Sequence, residues 1–145
     1  METLTDGKIY MSPSGEAFKA FDIKDGCGIA NILPKHSIIP VIITARESQI
    51  VVNRVRELNI TEVHQGCADK LSKLKAITSN QLNTVAYIGD DLPDLDVMMA
   101  VKDAKGLVGC PADAVEAVKS VADYVCEKTG GNGAVREFIE WLVQC

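Results

Sequence analysis

The chain has 145 residues, of which 47% are apolar and 24% charged, with a formal net charge of −5 at neutral pH. That length suits one compact domain of ordinary globular composition, and an acidic chain is poorly suited to nucleic-acid phosphates, which require clustered Lys and Arg. No apolar run approaches the length of a membrane span and the first residues lack a signal-peptide pattern, so the expectation is a soluble, cytoplasmic protein that binds neither nucleic acid nor membrane.

The first 24 residues stand apart from the rest. KIYM and EAFKAFDIK are β-prone and joined by the turn signal SPSG, which predicts a β-hairpin over about residues 8–24. It carries Ile9, Tyr10, Met11, Phe18 and Phe21. A two-stranded hairpin is marginal alone, so these side chains need the domain or a neighbouring subunit to cover them.

From residue 25 onward strands and helices alternate. A helical stretch over 26–34 precedes the strand IIPVIIT, Ile38 to Thr44. A helix over 47–59 has apolar residues at Ile50, Val51, Val55 and Leu58, which is helical spacing. The short strand EVHQG leads to a helix over 69–80 with Asp69 as N-cap. The strand TVAYIG follows, then a helix after Pro93, the strand GLVG, a helix over 112–121, the strand DYVCE and a closing helix, GAVREFIEWLVQ. Short connections between alternating elements predict parallel βαβ units in one domain, residues 1–145, of α/β three-layer Rossmann-like architecture. The continuously apolar strands fit a sheet covered on both faces. In such sheets ligands sit at the carboxyl ends of the strands.

Three segments fall at those ends. The first, GDDLPD, places Asp90, Asp91 and Asp94 where a buried strand should stop. A helix N-terminus explains one Asp as a cap. Three suit a hard divalent cation such as Mg2+, which takes one or two carboxylates together with waters and phosphate oxygens. The second is IITAR: the Thr44 hydroxyl and Arg46 can hold a phosphoryl group, or the segment is an ordinary turn with a solvated Arg. The third is GGNG, Gly130 to Gly133, where backbone N–H groups including that of Gly131 can converge on an anion. Arg136, one turn later, reaches the same anion or pairs with Glu140 at i+4. Lys70 sits in the first turn of its helix, unfavourable for the dipole unless it faces an anion. His36 and His64 read as solvated. Five scattered cysteines without a Cys-x-x-Cys pair, Cys27, Cys67, Cys110, Cys126 and Cys145, argue against a disulfide framework or a zinc site.

Taken in order, TDGKIY, FDIKDGCGI, IITAR, QGCADKL, AYIGDDLPDLDVM and GGNGAVREF resemble the haloacid dehalogenase superfamily along nearly the whole chain. Within it they are most similar to the capless sugar-acid phosphatases that act on 3-deoxy-D-manno-octulosonate 8-phosphate or a nonulosonate 9-phosphate. The resemblance implies Mg2+-dependent hydrolysis of a phosphate monoester through an aspartyl-phosphate. It implies that Thr44 binds the phosphoryl group, that Lys70 neutralises it, and that Asp90 ligates Mg2+ with Asp91 and Asp94 in or near the metal shell. Arg46, Gly131 and Arg136 would bind substrate. It further implies a homotetramer in which the hairpins pack together and help close neighbouring sites.

The family carries its nucleophile in DxDG(T/V)(L/W)TDG at the end of the first strand. Here the chain reads METLTDG, with Met1 at the second Asp and Glu2 at the Gly, so the nucleophile and its strand would precede residue 1. Two expectations follow: a sequence truncated at its start, or an inactive relative serving as an oligomerisation or regulatory module, such as those fused to sugar-activating synthetases. If the chain truly starts at Met1, the strands 38–44 and 84–89 should each keep an unpaired edge. A receiver-type signalling domain, also α/β with an acidic cluster, is disfavoured by the DKL and GDDxxD spacing.

Overall fold

The alternation persists through the computed structural model, which describes residues 2–145. The hairpin is shorter than expected: β1 (Tyr10–Ser12) and β2 (Gly15–Phe18) pair antiparallel around a tight turn. The helical stretch after it is built from three pieces. These are α1 (Ile23–Cys27), capped by the Asp22 side chain, one π-helical turn over Gly28–Ile32, and a 3-10 turn over Leu33–His36. Then come β3 (Val41–Ile43), α2 (Gln49–Glu57), β4 (Glu62–His64), α3 (Lys70–Ile77) and β5 (Ala86–Ile88). The chain ends with α4 (Leu95–Asp103), β6 (Leu107–Cys110), α5 (Glu116–Val121), β7 (Tyr124–Val125) and α6 (Ala134–Leu142).

The helix starts have local causes. Ser48 accepts the Ile50 N–H at the head of α2, and Asp69 accepts the Ser72 N–H at the head of α3, the cap expected from the sequence. The strands are shorter than their apolar runs, because Ile38 to Pro40 and Thr84 to Val85 lie outside the ladders.

The parallel strands do not form one sheet. β3 pairs with β4 in a two-stranded sheet, while β5, β6 and β7 form a separate three-stranded sheet. β3 and β5 therefore turn edges toward one another that carry no ladder among the described residues. Alternate residues of these strands face opposite layers. Ile42 and Ile88 pack with Ile29, Val51, Val135 and Ile139 on one side. Ile43 and Tyr87 pack with Leu74, Val97, Met98 and Val101 on the other. Helices thus cover both faces of each half-sheet, giving the three-layer arrangement.

Met98 is fully buried at the centre of the second layer. Truncating such a side chain removes transfer energy and leaves a cavity. Met98→Ala should lower stability by about 2–5 kcal/mol, read as a lower urea midpoint at unchanged m-value.

Candidate active site

The loop after β5 is organised around one carboxylate. Asp94 is 4% exposed. Its Oδ1 accepts hydrogen bonds from Lys70 Nζ at 3.0 Å and Tyr87 Oη at 2.7 Å. Its Oδ2 accepts from the N–H groups of Asp90 at 3.0 Å and Asp91 at 3.3 Å. Gly89 makes this wrapping possible, since a Cβ there would lie 2.5 Å from that of Asp94. Asp91 turns its own side chain onto Leu92 N–H and opens the 3-10 turn Leu92–Asp94 as an N-cap. Among the described residues no three His, Cys, Asp or Glu side chains converge as a ready metal cluster.

These contacts set the charges. Burial works against the Asp94 carboxylate, but the Tyr87 hydroxyl, Lys70 and the Asp90 N–H outweigh it and hold its pKa below the usual range. Burial, then the Asp94 charge, lift the Tyr87 phenol far above its ordinary value, so it remains a donor. Asp90 goes the other way: burial first, then the nearby Asp94 and Glu2 charges, push it up to about 6. Asp90 is thus the group in this loop whose charge is least compensated, which is the environment a cation relieves.

Thr44 directly follows β3, 2% exposed, and its Oγ accepts the Arg46 N–H at 3.3 Å. Its hydroxyl hydrogen stays available to donate. Beside it a cavity of about 70 Å3 opens under the hairpin, with Lys8, Lys19, Thr44 and Arg46 in its lining. Lys19 is itself paired with Glu16 at 2.8 Å. The structure therefore gathers Thr44, Lys70, Asp90, Asp91 and Asp94 at the carboxyl ends of β3 and β5, with Arg46 at the rim of the cavity.

The glycine loop is arranged differently from the anion cradle that its sequence suggests. Asp25, 1% exposed, accepts the Arg136 N–H at 2.9 Å and so occupies the N-terminus of α6 with an internal carboxylate. Arg136 spends its guanidinium on Glu140 at 2.8 Å and on the Lys24 carbonyl. Gly131 has φ 72° and lies so close to Thr5 and Asp6 that a Cβ would meet the Asp6 nitrogen at 2.5 Å. The loop packs against the segment 3–6, where the Gly131 N–H donates to the Thr3 carbonyl at 3.2 Å.

Sequence reasoning missed Tyr87, Lys8, Lys19 and the capping role of Asp25. Tyr87 had a faint signal: it is the polar-tipped residue in an otherwise apolar strand run, two positions from GDD. The lysines were legible only as hairpin surface charges.

No protein-family model matches the chain. Curated relatives do. It is 41% identical over 143 residues to 3-deoxy-D-manno-octulosonate 8-phosphate phosphatase KdsC of Yersinia pestis, covering 97% of this chain and 74% of that protein. The same enzyme from Escherichia coli K12 is 42% identical, covering 97% and 73%. Among solved structures, the phosphatase of that name from Moraxella catarrhalis, in complex with magnesium, phosphate and KDO, superposes with a TM-score of 0.88 at 40% identity, over 97% of this chain and 80% of that one. A cobalt-bound relative from Haemophilus influenzae gives 0.86 at 33% identity, over 97% and 81%. Fold and site define a hydrolase-type domain of the HAD superfamily, subfamily III A, a class also represented by a Legionella pneumophila neighbour. Within that class, the chain belongs to the 3-deoxy-D-manno-octulosonate 8-phosphate phosphatase family.

Two measurements probe these electrostatics. A carboxyl group whose folded pKa is raised loses stability for the protein as pH climbs from its unfolded value, near 4, through about 6. Asp90→Asn should therefore be more stable than wild type at pH 7.5 by roughly 1–3 kcal/mol, with the gain shrinking toward pH 4.5; urea midpoints at the two pH values read it. Lys70→Met should do the opposite, costing about 3 kcal/mol because it leaves a buried carboxylate without its cation. Part of that loss should return in the Lys70→Met/Asp94→Asn double variant.

Proposed function

We propose that this chain binds Mg2+ and a sugar-acid phosphate, 3-deoxy-D-manno-octulosonate 8-phosphate or a nonulosonate 9-phosphate, and that it serves as a phosphoric monoester hydrolase. The observation that supports this most is the likeness over 97% of the chain to phosphatases of that name, one of them solved with magnesium, phosphate and the sugar acid.

The residues present fit the ion. Asp90 is half-buried beside a second carboxylate with its pKa displaced upward, a group that a hard cation stabilises. Asp90 would hold Mg2+ directly, with Asp91 beside it. Asp94 contributes by fixing the loop, because its oxygens already accept four hydrogen bonds. When bound, the ion offsets the negative charge of carboxylates and phosphate. This chain's own residues supply the rest. The Thr44 hydroxyl donates to a phosphoryl oxygen. Lys70, held in place by Asp94, keeps a buried positive charge at the phosphate. Arg46, with Lys8 and Lys19, makes the neighbouring cavity attractive to a second anionic group such as the acid of the sugar.

Release of inorganic phosphate from 3-deoxy-D-manno-octulosonate 8-phosphate, requiring Mg2+, is the expected result. Lys70→Met should reduce kcat/KM by about 10²-fold or more, and Asp90→Asn should abolish the rise in melting temperature that Mg2+ gives the wild type. Equal Mg2+ response in wild type and Asp90→Asn would overturn the assignment of the ion to this loop.

The hairpin supports an assembled state. Tyr10 stacks on Phe18 at 4.5 Å, and Phe21 is covered by its own domain, packed in the core cluster and under Arg54. Ile9, Met11 and Phe18 remain 51%, 68% and 53% exposed. We infer that hairpins of neighbouring subunits cover them in a homotetramer. Among the described residues no helix is long and apolar enough to cross a membrane, and the setting we propose is the cytoplasm. Sedimentation should show a tetramer for the wild type and a monomer for Met11→Asp/Phe18→Asp; a monomeric wild type at micromolar concentration would sink this part.

A further inference from the structure

The loop after β4 is tied along its length to the loop after β3. Thr44 donates its N–H to the His64 carbonyl at 2.9 Å, and Cys67 donates back to the Thr44 carbonyl at 2.9 Å. Gly66 donates to the Arg46 carbonyl at 3.3 Å. Its φ of 68° and its bare Cα allow that approach, since a Cβ there would lie 2.7 Å from Glu47 Oε1. The remaining tie is made by a side chain: Gln65 Oε1 accepts the Ser48 N–H at 2.8 Å. The turn that carries Arg46 is thus held from Thr44 to Ser48 by the segment 64–67.

That contact fixes which way the Gln65 amide faces. A backbone N–H can only donate, so the oxygen end of the amide meets Ser48 and the NH2 end is turned from it. Among the described residues the NH2 makes no hydrogen bond, and it is not sealed from solvent. Gln65 lines the cavity of about 70 Å3 under the hairpin, beside Lys8, Lys19, Thr44 and Arg46. Those four neighbours bring a hydroxyl, a guanidinium and two ammonium groups, all of them donors. Cations attract any anion. An amide whose oxygen is already engaged adds direction to that attraction, because its two N–H groups point along fixed lines from a planar group.

We propose that Gln65 is a specificity-determining residue of this site: its NH2 donates to the carboxylate of the sugar acid while its oxygen holds the Arg46 turn through Ser48. This assignment rests on the sugar-acid reading of the site and adds a residue that tells an acidic sugar from a neutral one. The two ends of one amide couple the two tasks, so the donor is aimed only when the turn bearing Arg46 is in place. A glutamate at this position separates them. It keeps an acceptor for the Ser48 N–H, but it offers the acid a negative charge and no donor. A leucine loses both.

The test titrates the 15N-labelled chain, in buffer containing Mg2+, with 3-deoxy-D-manno-octulosonate and separately with its C1 carboxamide. The side-chain NH2 pair of Gln65, identified by its loss in both Gln65→Glu and Gln65→Leu, should move downfield saturably with the acid and stay in place with the carboxamide. By calorimetry both variants should bind the acid about tenfold or more weakly than wild type. Exchange of the Ser48 amide should be unchanged in Gln65→Glu and about tenfold faster in Gln65→Leu, which a purely structural glutamine would match without any movement of its NH2 signals. Binding of the acid with an unmoved NH2 pair, an equal response to the carboxamide, or equal affinity of wild type and Gln65→Glu would each overturn this assignment and leave the sugar-acid reading standing. No binding of the acid by wild type would overturn that reading and the assignment with it.

Discussion

The contact between Lys70 and Asp94 joins what the backbone leaves apart. Each residue belongs to a different half-sheet, one following β4 and the other following β5, and no ladder links those halves among the described residues. Both partners are buried, with side chains 9% and 6% exposed. A buried ion pair is weak evidence for stability, because desolvating the two charges offsets much of their attraction. It is better understood as a device for register. Only one placement of α3 against the loop after β5 satisfies the pair, and that placement brings Thr44, Lys70 and the Asp90 loop together.

The same network sorts three similar carboxylates into three roles. Asp94 receives four donors and stays ionised. Asp91 is consumed as a helix cap. Asp90 receives burial and a neighbouring negative charge, and its pKa rises to about 6. The difference comes from the donors and not from the residue type. A loop that satisfies one carboxylate completely can hold another in a state that awaits a cation.

A comparable substitution of internal for external charge occurs at α6. The helix N-terminus that follows a glycine-rich loop suits an anion, and the protein supplies its own in Asp25, from α1. Burial raises the Asp25 pKa, partly countered by the Arg136 N–H. The contact ties residues more than a hundred positions apart and closes one layer over the half-sheets. The glycines permit close packing on the segment 3–6, so their conformational freedom serves architecture.

Much of this was legible in the sequence. The alternation of apolar runs and helical periodicity determined the α/β class and the order of elements, because those patterns follow from the geometry of a strand or helix covered on known faces. Asp69 as a cap, the helix over Gln49–Glu57 and the motifs of the HAD superfamily belong to the same local information. Which carboxylate would be neutralised, and by what, was not available there: Tyr87 lies seven residues from Asp94 and Lys70 twenty-four, and their meeting depends on how the half-sheets align. Nor was the glycine loop's role, since Asp25 reaches it only through packing. Sequence by itself determined the kind of fold and the residues that can bear charge. Tertiary structure decided which charges are paired, because hydrogen-bond partners and burial are properties of where distant segments come to lie.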